Sequence, residues 1–200
     1  MTDRPGGESL VVATRNAHKL HELGEILAGF ELKALPDEVV LPPEDGETFA
    51  ANALIKARAA FDATGATSMG DDSGIEAAAL GGRPGIYSAR YAGPDATDEQ
   101  NLGLLLRELD GQADRSVAYV CAIAFVGAGG SEIVREARCT GRLAEQPRGS
   151  GGFGYDPAFI PDELPGERTM AEVTPDEKHA ISHRGKAARA MAEALEARRS

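Results

Sequence analysis

A strand-like run that turns at once into a helix-spaced segment opens the chain, and it restricts the fold more than any other feature. Residues 9–14 (SLVVAT) are a short apolar run ending at Arg15-Asn16, and from His18 the apolar side chains Leu20, Leu23, Ile26 and Leu27 follow at helical spacing. This predicts a βα unit. Residues 30–35 can return as a second strand, residues 36–46 form a proline- and acid-bearing loop, and the alanine-rich residues 48–63 form a second helix. A brief strand over 67–70 leads into Asp71-Asp72-Ser73-Gly74, and the glycine-rich stretch 81–93 reads as loop. Leu102, Leu105, Leu106 and Leu109 mark a third helix over 98–109. Residues 116–126 and 132–139, joined through Gly127-Ala-Gly-Gly, read as a β-hairpin. A glycine-rich loop at 149–154 precedes a C-terminal helix of roughly twenty residues, where Thr174-Pro175-Asp176-Glu177 fits a capping box with proline at the first helical position. The expected class is α/β: a strand–helix alternation with an antiparallel hairpin added.

Size and charge narrow what such a fold can do. Two hundred residues fit a single domain, taken as 1–200, and ordinary apolar (42%) and charged (26%) fractions exclude disorder and coiled coil. With 21 basic against 32 acidic residues the net charge is −11, which disfavours nucleic acid and anionic membranes as partners. The longest apolar run, 117–126, is ten residues and too short to span a bilayer, and residues 1–7 carry no apolar signal segment. Cys121 and Cys139 lack CxxC spacing and read as buried reduced thiols. The expectation is a soluble, cytoplasmic protein.

Four features can carry chemistry. Residues 14–19 (TRNAHK) place Arg15 and Lys19 where free N–H groups and the helix dipole favour an anion, although a capped turn with solvated cations is the simpler reading of this motif alone. Asp71 and Asp72, with Glu44, Asp45 and Glu47 on the loop before the second helix, offer oxygen ligands suited to Mg²⁺; a solvated Asp–Asp turn is the alternative. The loop 149–156 (GSGGFGYD) can close Phe153 and Tyr155 on a flat ligand with Asp156 as acceptor, or send its aromatics into the core. Its Gly149, Gly151 and Gly154 match the dinucleotide fingerprint, but Tyr155-Asp156-Pro157 follows where a helix should open, so that reading is rejected. Lys178, the adjacent His183 and Arg184, and Lys56 on the second helix read by default as surface cations. HExxH, P-loop and GxSxG motifs are absent from the sequence.

Five blocks in order, VVATRNAHKLHEL, ETFAANALIKARAA, DDSGIEAAALGGRPGIYSARYAG, GGFGYDPAFIP and DEKHAISHRGKA, resemble the inosine triphosphate pyrophosphatase family nearly end to end. The resemblance implies an elongated mixed sheet with flanking helices, two lobes around a central cleft, and a homodimer. It implies Mg²⁺-dependent cleavage of ITP, dITP and XTP to the monophosphate and pyrophosphate. On this resemblance Thr14, Arg15, Asn16, Ala17, His18 and Lys19 bind the triphosphate, with Asn52 and Lys56 near the phosphates and Ser73 touching substrate. Glu44 and Asp72 hold the metal, and Asp72 accepts the proton of the attacking water. Phe153, Gly154, Tyr155 and Asp156 clamp the base, and Lys178, His183 and Arg184 complete the contacts. Two positions depart from the family's usual pattern: Arg15 stands where glycine is common, and Ala51 where glutamate is common. Arg15 then adds a phosphate contact or points to solvent. A related pyrophosphatase for methylated or pyrimidine triphosphates, and a silent nucleotide-binding module, are the rival readings.

Overall fold

The computed structural model describes residues 9–198, so the N-terminal residues 1–8, where the sequence shows no signal segment, lie outside the described residues. Six strands form one sheet in the order β2-β1-β3-β4-β5-β6. The opening βα unit is present as β1 (Ser9–Val12) and α1 (Ala17–Ile26), and β2 (Glu31–Ala34) returns parallel to β1 with Leu10 opposite Leu32. Strand β3 (Ser68–Ala77) lies on the other side of β1, also parallel, with Val12 opposite Met69. Each parallel pairing needs a crossover, supplied by α1 and by α2 (Phe49–Thr64). Leu10 and Val12 are fully buried, as expected for a strand covered on both faces.

The hairpin consists of β4 (Ser116–Gly127) and β5 (Ser131–Leu143), neighbours in the sheet joined by three residues. Strand β6 (Phe159–Pro161), which the sequence reading lacked, pairs antiparallel with β5. Helix α3 (Asp98–Glu108) opens on a capping box made by Thr97 and Gln100.

Two expectations are corrected. Strand β3 does not stop before the acid pair but continues through Asp71, Asp72 and Ser73, with cationic and amide partners meeting the two acids inside the fold. The single C-terminal helix is two, α4 (Pro175–Ile181) and α5 (His183–Ala197), broken at Ser182, whose ψ of 152° is extended.

By internal contacts the chain forms two compact units. The first takes the chain through Asp72, then Cys121–Glu136, and the chain from Arg184 onward; the second comprises Ser73–Val120 and Ala137–His183. In the first, Leu23 anchors α1 with no exposure, so Leu23→Ala costs about 2–5 kcal/mol. Val11, Ala13, Leu35 and Ala60 pack as one cluster, with Val39 and Leu41 against it. Gly70 on β3 lies directly against α2: a Cβ there would stand 2.8 Å from the Ala57 nitrogen and 3.2 Å from the Lys56 Cβ. In the second unit Ile75, Leu102, Leu105, Leu109, Phe159 and Met170 are the centre of a larger core. Among the described residues no helix is long and apolar enough to cross a membrane. Cys121 and Cys139 are both buried and free, and burial pushes the Cys121 thiol up to about 12.

Candidate active site

In the first unit, the turn after β1 presents Thr14 to Lys19. Asn16 caps α1, its Oδ1 accepting from the His18 nitrogen at 3.0 Å and the Lys19 nitrogen at 3.2 Å, so the capping reading holds for this residue. Lys19 is not a solvated cation: its Nζ reaches Asp71 Oδ2 at 3.1 Å. Arg15, exposed to solvent, turns its guanidinium toward the loop after β2. Its guanidinium donates to the carbonyls of Leu35 (2.8 Å), Pro36 (2.7 Å), Asp37 (3.3 Å) and Val39 (2.7 Å).

Alternate positions of a strand face opposite sides, so Asp71 and Asp72 meet different surroundings. Asp71 is wholly buried; Arg184 Nη2 lies 3.4 Å from its Oδ2, and its Oδ1 is buried without a hydrogen-bond partner. Burial opposes its ionisation, but Lys19, Arg184 and Lys56 outweigh that and hold its carboxyl well below the usual range. Asp72 accepts from Asn52 Nδ2 at 3.1 Å and Lys56 Nζ at 3.3 Å. Here burial wins with help from Glu44, and the Asp72 pKa is raised despite Lys56 and Lys19.

Lys56, expected on the surface, is 6% exposed. It is buried because three carboxylates surround it: Asp71, Asp72 and Glu44, the last at 2.8 Å. Burial disfavours its charge, yet these acids raise its pKa overall. Of the acids on the loop before α2, Glu44 reaches this centre while Asp45 and Glu47 are exposed. Ala51, at the departed position, donates its N–H to the capping Thr48.

Arg184 is also buried rather than surface-bound, at 2% exposure. Its Nη1 donates to Glu22 Oε2 at 2.6 Å, and although burial works against its charge, Asp71 and Glu22 keep it firmly protonated. Glu22 was missed in the sequence, where it is one more polar residue on α1; its place beside the buried Leu23 is the only hint.

In the second unit, Asp156 is the organising acid. It accepts from Tyr119 Oη at 3.0 Å, the Phe153 nitrogen at 3.0 Å and Lys178 Nζ at 2.8 Å. Lys178, again buried rather than solvated, also lies 4.9 Å from the Phe153 ring centre, a cation–π distance. Gly152 has φ of +70°, and a Cβ there would meet Asp156 Cγ at 2.9 Å, so only glycine allows this turn. The Gly154 nitrogen donates to Asp98 Oδ2 at 2.8 Å. Tyr155 points into the core and donates to the Ser88 carbonyl, while Phe153 stays half-buried. His183 stacks on Tyr119, ring centres 4.5 Å apart. Ser73, next to Asp72, is half-buried.

The first cluster suits a divalent cation by its chemistry. Glu44 and Asp72, from separate segments, converge on one positive atom, Lys56 Nζ, as two oxygen ligands would on a cation. Among the described residues no group of three or more His, Cys, Asp or Glu side chains is placed to hold a metal ion.

On this α/β sheet the first unit interleaves the buried acids Glu22, Asp71 and Asp72 with Lys19, Lys56 and Arg184, an arrangement whose chemistry suits charged ligands. The pattern of the Ham1 family matches residues 10–194, and the chain belongs to that family. It is 48% identical over 194 residues to the dITP/XTP pyrophosphatase of Cutibacterium acnes, covering 93% of this chain and 95% of that one. The Geobacillus kaustophilus protein of the same name is 48% identical over 186 residues, 90% of each chain. Among solved structures, the Ham1 protein of Staphylococcus aureus superposes with a TM-score of 0.86 at 36% identity, covering 96% of this chain and 100% of that one. A HAM1 protein from Coxiella burnetii gives 0.84 at 40% identity, covering 94% and 98%. The family read from the five sequence blocks, and the mixed sheet with flanking helices that it implied, therefore hold.

Proposed function

We propose that this chain hydrolyses the non-standard purine nucleotides dITP, XTP and ITP to the monophosphate and pyrophosphate, with Mg²⁺, as a cytoplasmic homodimer in which residues 1–200 act as one domain. The observation that carries this reading is Asp72, a buried acid of raised pKa held by Asn52 and Lys56, in a chain 48% identical to a dITP/XTP pyrophosphatase. Asp72 takes a proton from water, whose oxygen bonds to the α-phosphorus as the bond to the bridging oxygen breaks and pyrophosphate leaves. Lys56 and Lys19 stabilise the negative charge gathering on the departing group. Glu44 and Asp72 are the residues that would hold Mg²⁺, which when bound adds Lewis-acid stabilisation of the phosphate oxygens. Thr14, Asn16, Ala17, His18 and Lys19 contact the phosphates, and Phe153 to Asp156 with Lys178 frame the base. His183 and Arg184 offer donors to the keto oxygen that distinguishes inosine and xanthosine from adenosine. A site built on such bonds rejects the analogue lacking them by on the order of 10⁴-fold.

The test is incubation of the purified protein with dITP, XTP, GTP and ATP, with and without Mg²⁺, and identification of the phosphate product. Pyrophosphate from dITP and XTP, only with metal, is the expected result. Orthophosphate would move the cleavage to another bond, and no turnover would leave a binding module.

A further inference from the structure

We propose that Arg15 is a positioning residue for Glu44: it fixes the loop that carries that acid and does not bind the substrate's phosphates. This rests on the reading of Glu44 as a metal-holding residue given above.

The guanidinium has five N–H donors in a rigid fork and no acceptor. Here its two terminal nitrogens are turned to the four carbonyls of Leu35, Pro36, Asp37 and Val39, so the end of the fork faces the loop. The accompanying ion pair to Asp37 spans 3.5 Å to a fully solvated carboxylate and adds little. Val39 and Leu41 pack on the cluster around Leu35 and Ala60, while Val40 between them is 88% exposed, so the segment is seated on one face only. Five residues beyond Val39 comes Glu44, and beyond it the far end of the loop is pinned too. The Gly46 nitrogen donates to Asn52 Oδ1 at 2.8 Å, and a Cβ at Gly46 would crowd that oxygen at 2.7 Å. The same Asn52 donates to Asp72. Glu44 therefore hangs from two fixed points, one held by Arg15 and one by Asn52, and its reach to Lys56 Nζ depends on both.

The experiment compares wild type with Arg15→Gly, Arg15→Lys and Glu44→Gln. It measures Mn²⁺ affinity without nucleotide by electron paramagnetic resonance, amide hydrogen exchange over residues 37–46, and KM for dITP at saturating Mn²⁺. Both Arg15 variants are expected to exchange faster over 37–46 and to bind Mn²⁺ roughly tenfold more weakly, the equivalent of one charge-assisted hydrogen bond, with KM unchanged. Lysine fails to rescue because one ammonium cannot span four carbonyls. Unchanged exchange and Mn²⁺ affinity in Arg15→Gly, with a raised KM that lysine restores, would overturn the proposal and make Arg15 a phosphate contact. Wild-type Mn²⁺ affinity in Glu44→Gln would instead remove the metal reading of Glu44 on which the positioning role depends.

Discussion

Asp72 and Asp156 are both buried acids with a buried lysine beside them, yet their surroundings assign them opposite work. Asp156 receives three donors, from Tyr119, the Phe153 backbone and Lys178, and so holds a glycine loop in shape. Asp72 shares its lysine with Glu44, and burial leaves it with a raised pKa. Both oxygens of each acid accept a bond, Asp72 from Lys56 and Asn52, so bond satisfaction alone does not separate them. The difference lies in company: Asp72 sits beside a second carboxylate, Glu44, which together with burial raises its pKa, whereas Asp156 adds a hydroxyl and a backbone N–H to its lysine.

The largest effect expected from breaking this contrast is on turnover. Asp72→Asn keeps the shape and removes the base, so activity on dITP falls by on the order of 10³-fold or more while nucleotide binding persists. Turnover near wild type would sink the assignment. The same substitution holds or raises the melting temperature of the metal-free protein at neutral pH, because an acid of raised pKa is strained in its ionised form. Asp156→Asn does the reverse. It leaves Lys178 buried against a neutral partner at a cost of about 3 kcal/mol, lowering the melting temperature by roughly 6–12 °C. Equal melting temperatures for the two variants would collapse the distinction.

A sharper comparison lies within one strand. In the metal-free protein, carboxyl carbon NMR should show Asp72 titrating above the ordinary aspartate value and Asp71 below it. Mg²⁺ should move Asp72 downward, because a cation favours the charged form. A control outside both clusters gives the smallest effect. Glu177 takes a hydrogen bond from Arg168 and caps α4, holding its carboxyl down to about 2. A depressed acid contributes stability above its unfolded pKa of about 4.3 and loses it as pH falls toward the folded value. The stability gap between wild type and Glu177→Gln should therefore narrow in acid, read by urea unfolding from pH 7 to pH 3. A gap independent of pH would reject this account.

What the sequence disclosed followed periodicity and capping. The opening βα unit, α2, α3 and the hairpin lie within a few residues of their expected bounds, because each depends on its own residues. The acid loop, the DDSG segment and the FGYD loop were visible as chemistry for the same reason. The misses depend on partners distant in sequence. Lys56, Lys178 and Arg184 read as surface cations because nothing local shows that Glu44, Asp156 and Glu22 will meet them. Strand β6, three residues long, is too short to leave a period. Ser182 is different: serine favours helix caps, and one in the middle of a supposed twenty-residue helix was a readable sign of the break.

The bare backbone at Gly70 has a consequence for heredity as much as for chemistry. With no side chain there, α2 rests on β3 closely enough for Asn52 and Lys56 to reach Asp72, two residues further along the strand. One added methyl group would act as a spacer between helix and strand and draw both side chains away together. A catalogue of inactivating variants of this chain would then include a position that touches no substrate, bears no charge and makes no side-chain bond. The smallest residue sets the scale of the site.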